Sequence, residues 1–297
     1  MAETATQFKE RIIKPRRGLI GIDYAELWRY RELFGFLTWR DIMVRYKQTA
    51  IGIAWAVVQP LLTVIVFTWI FSRIVKVDVK GPYAIIAFAG LLPWSFFSSA
   101  LQAGSQSVVM SSQMISKIYF PRLIIPASAT LSGLVDFLIS MLMMMVLMVH
   151  YDVAFGARML ALPLFFLMAF ASAFGASLWL AALNVKYRDI KHIVPFIIRI
   201  GIFVCPVMLT SGQMAGHATR AVAAWAPGWL TWRLVFSLNP VVGPIDGFRW
   251  AILGPQVDPQ FAIFWPGMLA SLFVTVALLV SGAYYFRQFE RSFADVI

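Results

Sequence analysis

The stretch YAIIAFAGLLPWSFFSSALQAGSQS at residues 83–107 contains no charged residue and is long enough to cross a membrane as one helix. Within it, uncharged polar side chains recur on one helical face: Ser95, Ser98, Ser99, Gln102, Ser105 and Gln106. Such a face turns away from lipid, towards the interior of a helix bundle or a water-filled path. Close helix packing and the lining of a polar pathway are the two interpretations. Both predict an all-α integral membrane protein.

The composition of the whole chain agrees with this class. Of 297 residues, 60% are hydrophobic and 13% are charged, whereas soluble domains are about 25% charged. This composition excludes an ordinary soluble domain and a disordered chain. The single Cys excludes a disulfide within the chain and a Cys-based zinc site. The net charge of +11 comes from basic residues between apolar runs, which indicates cytoplasmic loops and contact with membrane lipids rather than nucleic-acid binding.

Six charge-poor stretches are predicted to span the membrane, at residues 50–72, 83–107, 124–149, 159–185, 193–211 and 261–286. They form a transmembrane domain over residues 49–290, between a cytoplasmic segment (1–48) and a cytoplasmic tail (291–297). A cytoplasmic N-terminus places the larger share of the 25 Lys and Arg residues inside. That bias favours both termini in the cytoplasm.

Residues 24–47 are predicted to form an amphipathic helix in the cytoplasmic membrane interface. One helical line is aromatic and the line beside it is basic: Trp28, Trp39 and Tyr46, then Arg29, Arg40 and Lys47. Adjacent aromatic and basic stripes are typical of a helix at a lipid surface. The alternative is a soluble amphipathic helix packed on another subunit, and Gly35 is a candidate break in either case.

Residues 212–260 form the longest segment predicted outside the membrane. Aromatic side chains recur on one helical face of it at i, i+4, i+7 and i+11: Trp225, Trp229, Trp232 and Phe236. Gly and Pro residues interrupt the chain on both sides of this face. The pattern favours either an aromatic belt that anchors the protein or short helices that dip into the outer interface.

Aromatic side chains accompany the polar face and continue onto the first predicted span. They are Trp55 and Trp69 in the first span, with Gln59 near their line, and Phe88, Trp94, Phe96 and Phe97 in the second. Aromatic faces beside neutral hydrogen-bonding groups suit sugars, whose C–H faces stack while their hydroxyls form hydrogen bonds. Plain packing or anchoring at the interface is the alternative.

Two ionisable residues fall within predicted spans, Asp136 in the third and Arg199 in the fifth. A charge facing lipid is costly, so Asp136 is interpreted as a pore-lining carboxylate, as a hydrogen-bonded acid between helices, or as the partner of Arg199.

Catalytic patterns are scarce. The three His residues show no metal-ligand spacing, and no GxxxxGK[ST] loop is present to cradle the phosphates of ATP. Active transport by this protein would therefore need an ATPase on another chain. An integral-membrane transferase would need clustered acids or His residues, and here the acids are scattered.

Five segments, in order along the chain, carry a resemblance to a known family. They are TWRDIMVRYKQTAIGIAWAVVQPLL (38–62), FAGLLPWSFFSSAL (88–101), ISKIYFPRLIIP (115–126), LNVKYRDIKHIVPF (183–196) and LNPVVGPIDGFRWAILG (238–254). Together they resemble the permease subunits of type-2 ABC exporters, in particular those that export lipid-linked O-antigen, teichoic acid or capsule.

The resemblance implies six spans per subunit, a homodimer in the inner membrane, and two copies of a separate cytoplasmic ATPase. ATP and Mg would then bind to the ATPase, with no cofactor on this chain, and a lipid-linked glycan, most closely O-antigen, would be the substrate. Export of another lipid or of a drug is the alternative function, followed by a membrane-bound glycosyl or acyl transferase.

The resemblance also assigns residues to three roles. Contact with the ATPase falls on two loops, with Ile115, Lys117, Tyr119, Pro121, Arg122, Tyr187, Arg188 and Asp189. Short outer helices would form the outer gate, with Trp225, Trp229, Trp232 and Phe236. A channel for neutral glycan fits the first two spans, with Trp55, Gln59, Trp69, Phe88, Trp94, Ser95, Phe97, Ser98, Ser99 and Gln102.

Overall fold

The computed structural model of the chain describes residues 24–47, 54–74, 81–222, 232–290 and Phe293, and these ranges contain helices and no strand. In chain order the helices are α1 (Tyr24–Arg29), α2 (Arg31–Tyr46), α3 (Ala54–Trp69), α4 (Tyr83–Met110), α5 (Ser112–Lys117), α6 (Ile124–Leu131), α7 (Leu134–His150), α8 (Leu162–Lys186), α9 (Ile190–Val204), α10 (Ser211–Val222), α11 (Trp232–Ser237), α12 (Val242–Ile252), α13 (Gly254–Val257) and α14 (Trp265–Glu290). The predicted all-helical membrane class is confirmed.

Five helical segments are long and apolar enough to cross a membrane: Ala54–Ile74, Tyr83–Met110, Ile124–His150, Ala157–Lys186 and Pro259–Glu290. They coincide with five of the six predicted spans. The fifth predicted span, 193–211, corresponds to α9, which ends at Val204 after 15 residues. A helix of that length is roughly 22 Å long, short of the ~30 Å hydrocarbon core. The chain leaves the helix at Cys205, just before Pro206, so a sixth crossing stays a prediction.

Helix α4 is the centre of the bundle. In the apolar 18-residue stretch of α4, 83% of the residues are buried. In the corresponding stretch of Ala54–Ile74, 6% are buried. Helices α6, α7, α8, α9 and α12 all pack against α4. The closest approach to α8 is at Gly104, where an added Cβ would lie 2.6 Å from the Ser177 Cβ. Small residues therefore let the backbones of α4 and α8 come together.

Helices α8 and α14 also pack closely. An added Cβ at Gly282 of α14 would collide with the carbonyl oxygen of Gly175 on α8. Near one end of this contact the indole of Trp179 stacks on the ring of Tyr285, with centroids 4.0 Å apart. Glycine at the crossing point allows this approach, and the aromatic pair fills the space beside it.

The predicted N-terminal helix is two helices that join at Tyr30, and the break predicted at Gly35 is wrong, because α2 continues through this residue. Helix α2 packs against α6, with Leu37 only 1% exposed. Trp39 is 60% exposed. The helix thus buries one side against its own chain and leaves aromatic side chains exposed, and both its position in the membrane interface and its packing on another subunit stay predictions.

Between α9 and α14, the residues that the structure describes form four short α-helices, α10 to α13, and a 3-10 helix at Pro259–Phe261. The turn between α12 and α13 needs glycine, because Gly254 has a φ of +68°. Arg233 on α11 lies over the ring of Phe264, 4.7 Å from its centroid, which holds α11 beside the start of α14.

Candidate functional site: a polar cavity beside the central helix

A cavity of about 770 Å³ lies beside α4, with walls from α2, α3, α7 and α9. Its polar lining comes chiefly from serine and glutamine side chains. The ionisable side chains in its wall are Arg45, Tyr46 and Asp136, which contact one another where the end of helix α2 reaches the cavity. We call this the α2 end. The cavity is therefore mostly neutral and hydrogen-bonding along α4.

Six of the predicted pathway residues line this cavity: Trp55, Gln59, Ser95, Ser98, Ser99 and Gln102. The Ser98 hydroxyl donates to the carbonyl of Ser95, and the Ser99 hydroxyl to the carbonyl of Phe96, each at 3.0 Å. Because these hydroxyl protons are held by the helix itself, the hydroxyl oxygens stay available as acceptors towards the cavity.

The remaining four predicted pathway residues lie elsewhere: Trp69, Phe88, Trp94 and Phe97. Trp69 is 62% exposed at the far end of α3, whereas the other three are buried in the core. The Trp94 indole lies against α9, 2.5 Å from where a Cβ on Gly201 would be. These aromatic rings of α4 face its neighbours, and for them the packing interpretation holds.

The polar face of α4 also divides along its length. Ser105, at its far end, is 1% exposed, and its backbone carbonyl accepts a 3.1 Å hydrogen bond from the Asn184 amide on α8. One part of the face borders the cavity and the next part packs between helices. Helix packing therefore accounts for the buried turns, whereas for the turns at the cavity the pathway interpretation stays a prediction.

Asp136 is bound by helix α2 rather than by Arg199. The Arg45 guanidinium forms an ion pair with one carboxylate oxygen, and the Tyr46 hydroxyl donates to the other. Burial, followed by the hydrogen bond to Asp136, raises the pKa of the Tyr46 phenol. Arg199 is exposed on α9. The pairing of Asp136 with Arg199 considered from the sequence is therefore absent in the structure.

Arg249 on α12 forms a second buried polar cluster, away from the cavity. Its guanidinium donates to the carbonyls of Ile86, Pro206, Val207 and Leu209, at 2.5 to 3.3 Å. The side chain is 1% exposed. A positive charge in this position is stabilised by carbonyl dipoles and by nearby Asp246. The cluster ties α12 to α4 and to the chain that follows α9.

The predicted outer-gate residues are only partly described. Trp225 and Trp229 fall in residues 223–231, outside the described ranges. Trp232 and Phe236 lie on α11 and are both half-buried.

The predicted ATPase-contact residues separate into two groups. Lys117, Tyr119, Tyr187, Arg188 and Asp189 are exposed, as a docking surface requires. Ile115 and Pro121 are buried. Arg122 is half-buried, with its guanidinium bound to the backbone carbonyl of Glu290, and its backbone N–H donates to the Glu290 carboxylate at 3.2 Å. These three residues hold the loop to the bundle.

Sequence reasoning missed Arg45 as a site residue and assigned Tyr46 only to an aromatic stripe. A signal was present, because an acid within a span requires a partner. Arg45 and Tyr46 are a basic and an aromatic residue near the end of the predicted amphipathic helix. Nothing in the sequence pattern pointed to the carbonyl cluster around Arg249. Within the described ranges, no group of three or more acidic, His or Cys side chains could hold a metal ion.

Long apolar helices around a polar cavity, with a group of short helices beside them, define a multi-pass membrane protein. The sequence profile of the ABC-2 type transporter family matches residues 32–253, and the chain belongs to this family. Related proteins of similar length are the O-antigen export system permease proteins RfbA of Myxococcus xanthus and of Klebsiella pneumoniae. The first is 25% identical over 92% of this chain and 98% of its own. The second is 24% identical over 90% of this chain and 95% of its own.

Proposed function

We propose that this chain is the transmembrane subunit of an ATP-driven exporter that moves a lipid-linked polysaccharide, of the O-antigen class, across the inner membrane. Family membership supports the transporter role, and the names of the relatives support the O-antigen class. The observation that carries the proposal is the uncharged wall that α4 gives the cavity, where Ser98, Ser99 and Gln102 line the same space as Trp55.

The chemistry of this cavity fits a glycan. Sugar hydroxyls both donate and accept hydrogen bonds, so they can use the amide of Gln102 and the hydroxyl oxygens of Ser98 and Ser99. The indole of Trp55 offers an apolar face for the C–H groups of a sugar ring. Because these groups are uncharged, successive sugars can exchange places without breaking an ion pair.

The assembly we propose is a homodimer with two copies of a cytoplasmic ATPase that binds ATP and Mg. Six spans per subunit and cytoplasmic termini belong to this proposal, as do outer helices that gate the pathway. The exposed residues Lys117 and Tyr119, with Tyr187 on the second loop, would face the ATPase. Its closure on ATP would then be transmitted through these loops to the helices around the cavity.

Two glutamines one turn apart on α4 provide the test. Gln102 lines the cavity, whereas Gln106 does not and is half-buried. Gln102→Leu should lower export about tenfold or more, because it removes hydrogen-bonding groups from the path and makes it apolar. Gln106→Leu makes the same chemical change outside the path and should leave export close to normal. Export is measured as surface polysaccharide per assembled complex.

Equal export by both variants would contradict the pathway. If the unsubstituted complex exports a lipid that has no sugars, the protein is a lipid or drug exporter, and the proposed glycan substrate is wrong.

A further inference from the structure

Helix α2 touches the cavity through its last turn only. Arg45 and Tyr46 line the α2 end, and both bind Asp136 in the first turn of α7. Further back, α2 packs on α6 through an apolar side, with Leu37 fully buried. Apolar packing thus holds the body of the helix, and a polar cluster holds its end against the cavity.

The side chains of this polar cluster are partly exposed and border the cavity. The side chains of Arg45 and Asp136 are 32% and 35% exposed, and the cavity beside them carries Ser99, Gln102 and Ser140. The hydroxyl and amide groups of the cavity can receive these ions when they separate, so the pair opens at lower cost than a fully buried one. Arg249 differs in this respect, because its 1% exposed side chain is enclosed by carbonyls and has no such space to enter.

A displacement of the last turn of helix α2 also bears on α3, which forms another wall of the cavity. Only residues 47–53 separate α2 from α3 in the chain, and Trp55 in the first turn of α3 lines the same cavity. Movement of Arg45 and Tyr46 away from Asp136 would therefore enlarge the cavity that Trp55 also lines.

We propose that Arg45, Tyr46 and Asp136 form a releasable latch that holds the end of α2 against the cavity, and that export requires this latch to open. The proposal rests on the proposed function, since it regulates access to the same cavity. It makes Arg45 and Tyr46 positioning residues and gives the acid in the third span a partner that moves.

Cross-linking tests whether the latch must open. The double variant Arg45→Cys with Asp136→Cys removes both charges together, so neither is left unpaired. A short bifunctional methanethiosulfonate reagent then joins the two thiols in cells that make the complete exporter, and a reductant releases them. The native Cys205 is buried. Each single-cysteine variant, treated with the same reagent, is the control.

The latch predicts that cross-linked complexes lose nearly all export and that the reductant restores it. Export by the cross-linked double variant equal to that of the reduced variant would overturn the latch. Failure of the untreated native complex to place polysaccharide on the surface would instead overturn the proposed function.

A second measurement does not depend on the double variant. In purified complex carrying Ser99→Cys, a water-soluble methanethiosulfonate should label the cavity about fivefold faster when Asp136→Asn is added, because loss of a partly exposed ion pair shifts the population towards the open end. Asp152→Asn, beyond the other end of α7, is the matched control and should leave the labelling rate unchanged. Equal rates in all three proteins would contradict the latch.

Discussion

At the scale of single residues, Arg249 shows how a charge is kept inside this bundle. Its guanidinium meets four backbone carbonyls, and three of them belong to the stretch after α9 where no helix satisfies them. Carbonyls in an apolar surrounding require donors. Arg249 and the irregular chain at 206–209 thus stabilise each other, because the carbonyl dipoles stabilise the positive charge and the guanidinium supplies the carbonyls with hydrogen bonds.

Arg249→Gln should destabilise the protein by about 3–5 kcal/mol, because it leaves several buried carbonyls unpaired. Arg249→Lys should cost less, since an ammonium retains charge and three donors. The melting temperature of the permease in detergent measures the effect. The matched control, Arg188→Gln, changes an exposed arginine and should leave the melting temperature within a degree or two of the unchanged protein. A melting temperature for Arg249→Gln equal to that of the unchanged protein would contradict the structural role of the cluster.

At the scale of helices, the bundle has one fixed contact and one lightly held helix. Helix α14 meets α8 at a glycine crossing, where backbones touch and side chains cannot intervene. The segment Ala54–Ile74 is almost uncovered by the chain. This segment therefore has much of its surface open to the surroundings, whereas α8 and α14 are in direct backbone contact.

Gly282→Ala should lower stability by about 1–3 kcal/mol, because the added methyl group collides with the Gly175 carbonyl and separates α14 from α8. Gly35→Ala is the matched control. Nothing lies within 4 Å of a Cβ at Gly35, so this change should stabilise α2 by about 0.5–1 kcal/mol. Thermal unfolding of the two variants decides, and equal shifts for both would show that the crossing is not tight.

At the scale of the whole molecule, the loop proposed to contact the ATPase is anchored at both ends and exposed between them, with Ile115 buried at its start. Arg122 joins it to the end of α14 through Glu290, whereas Lys117 and Tyr119 project outwards. A push on the exposed part is therefore transmitted to both α6 and α14.

Charge reversal separates these two parts of the loop. Lys117→Glu should reduce export per ATP hydrolysed while the subunit still assembles, because only an exposed contact changes. Arg122→Glu should reduce the amount of folded subunit, because it breaks the bond to Glu290 and places two acids together. Export, ATP hydrolysis and the yield of complex are measured side by side. Normal folding of Arg122→Glu would show that the Glu290 contact is dispensable.

The direction of the chain in the membrane can be read by thiol labelling. Gly216 on α10 is exposed, with nothing within 4 Å of an added Cβ, and Gln113 on α5 is also exposed. A reagent that cannot cross the membrane, applied outside, should label Gly216→Cys and spare Gln113→Cys. Cys205 is buried and adds little background. The reverse labelling pattern would contradict cytoplasmic termini.

The features that the bilayer imposes could be predicted from the sequence. The contacts that depend on which helices pack together could not. Apolar length predicted six spans, of which five are long helices, and the Ser/Gln face predicted that α4 turns a side away from lipid, because a membrane imposes both. Residue type alone could not tell that Trp94 and Phe97 pack inside while Trp55 lines the cavity. Likewise, the need of Asp136 for a partner was evident, but the choice of Arg45 over Arg199 depends on where α2 lies.

The burial of α4 has a consequence for the synthesis of the protein. This helix leaves the ribosome before any of α8, α9 and α12, which cover most of it in the finished bundle. Gln102 and the serines therefore enter the translocation machinery, or an insertase beside it, while their eventual surroundings do not yet exist. We expect the nascent α4 to stay in contact with that machinery until α8 has been made. The order of manufacture, and not only the final packing, then limits how polar this helix can become.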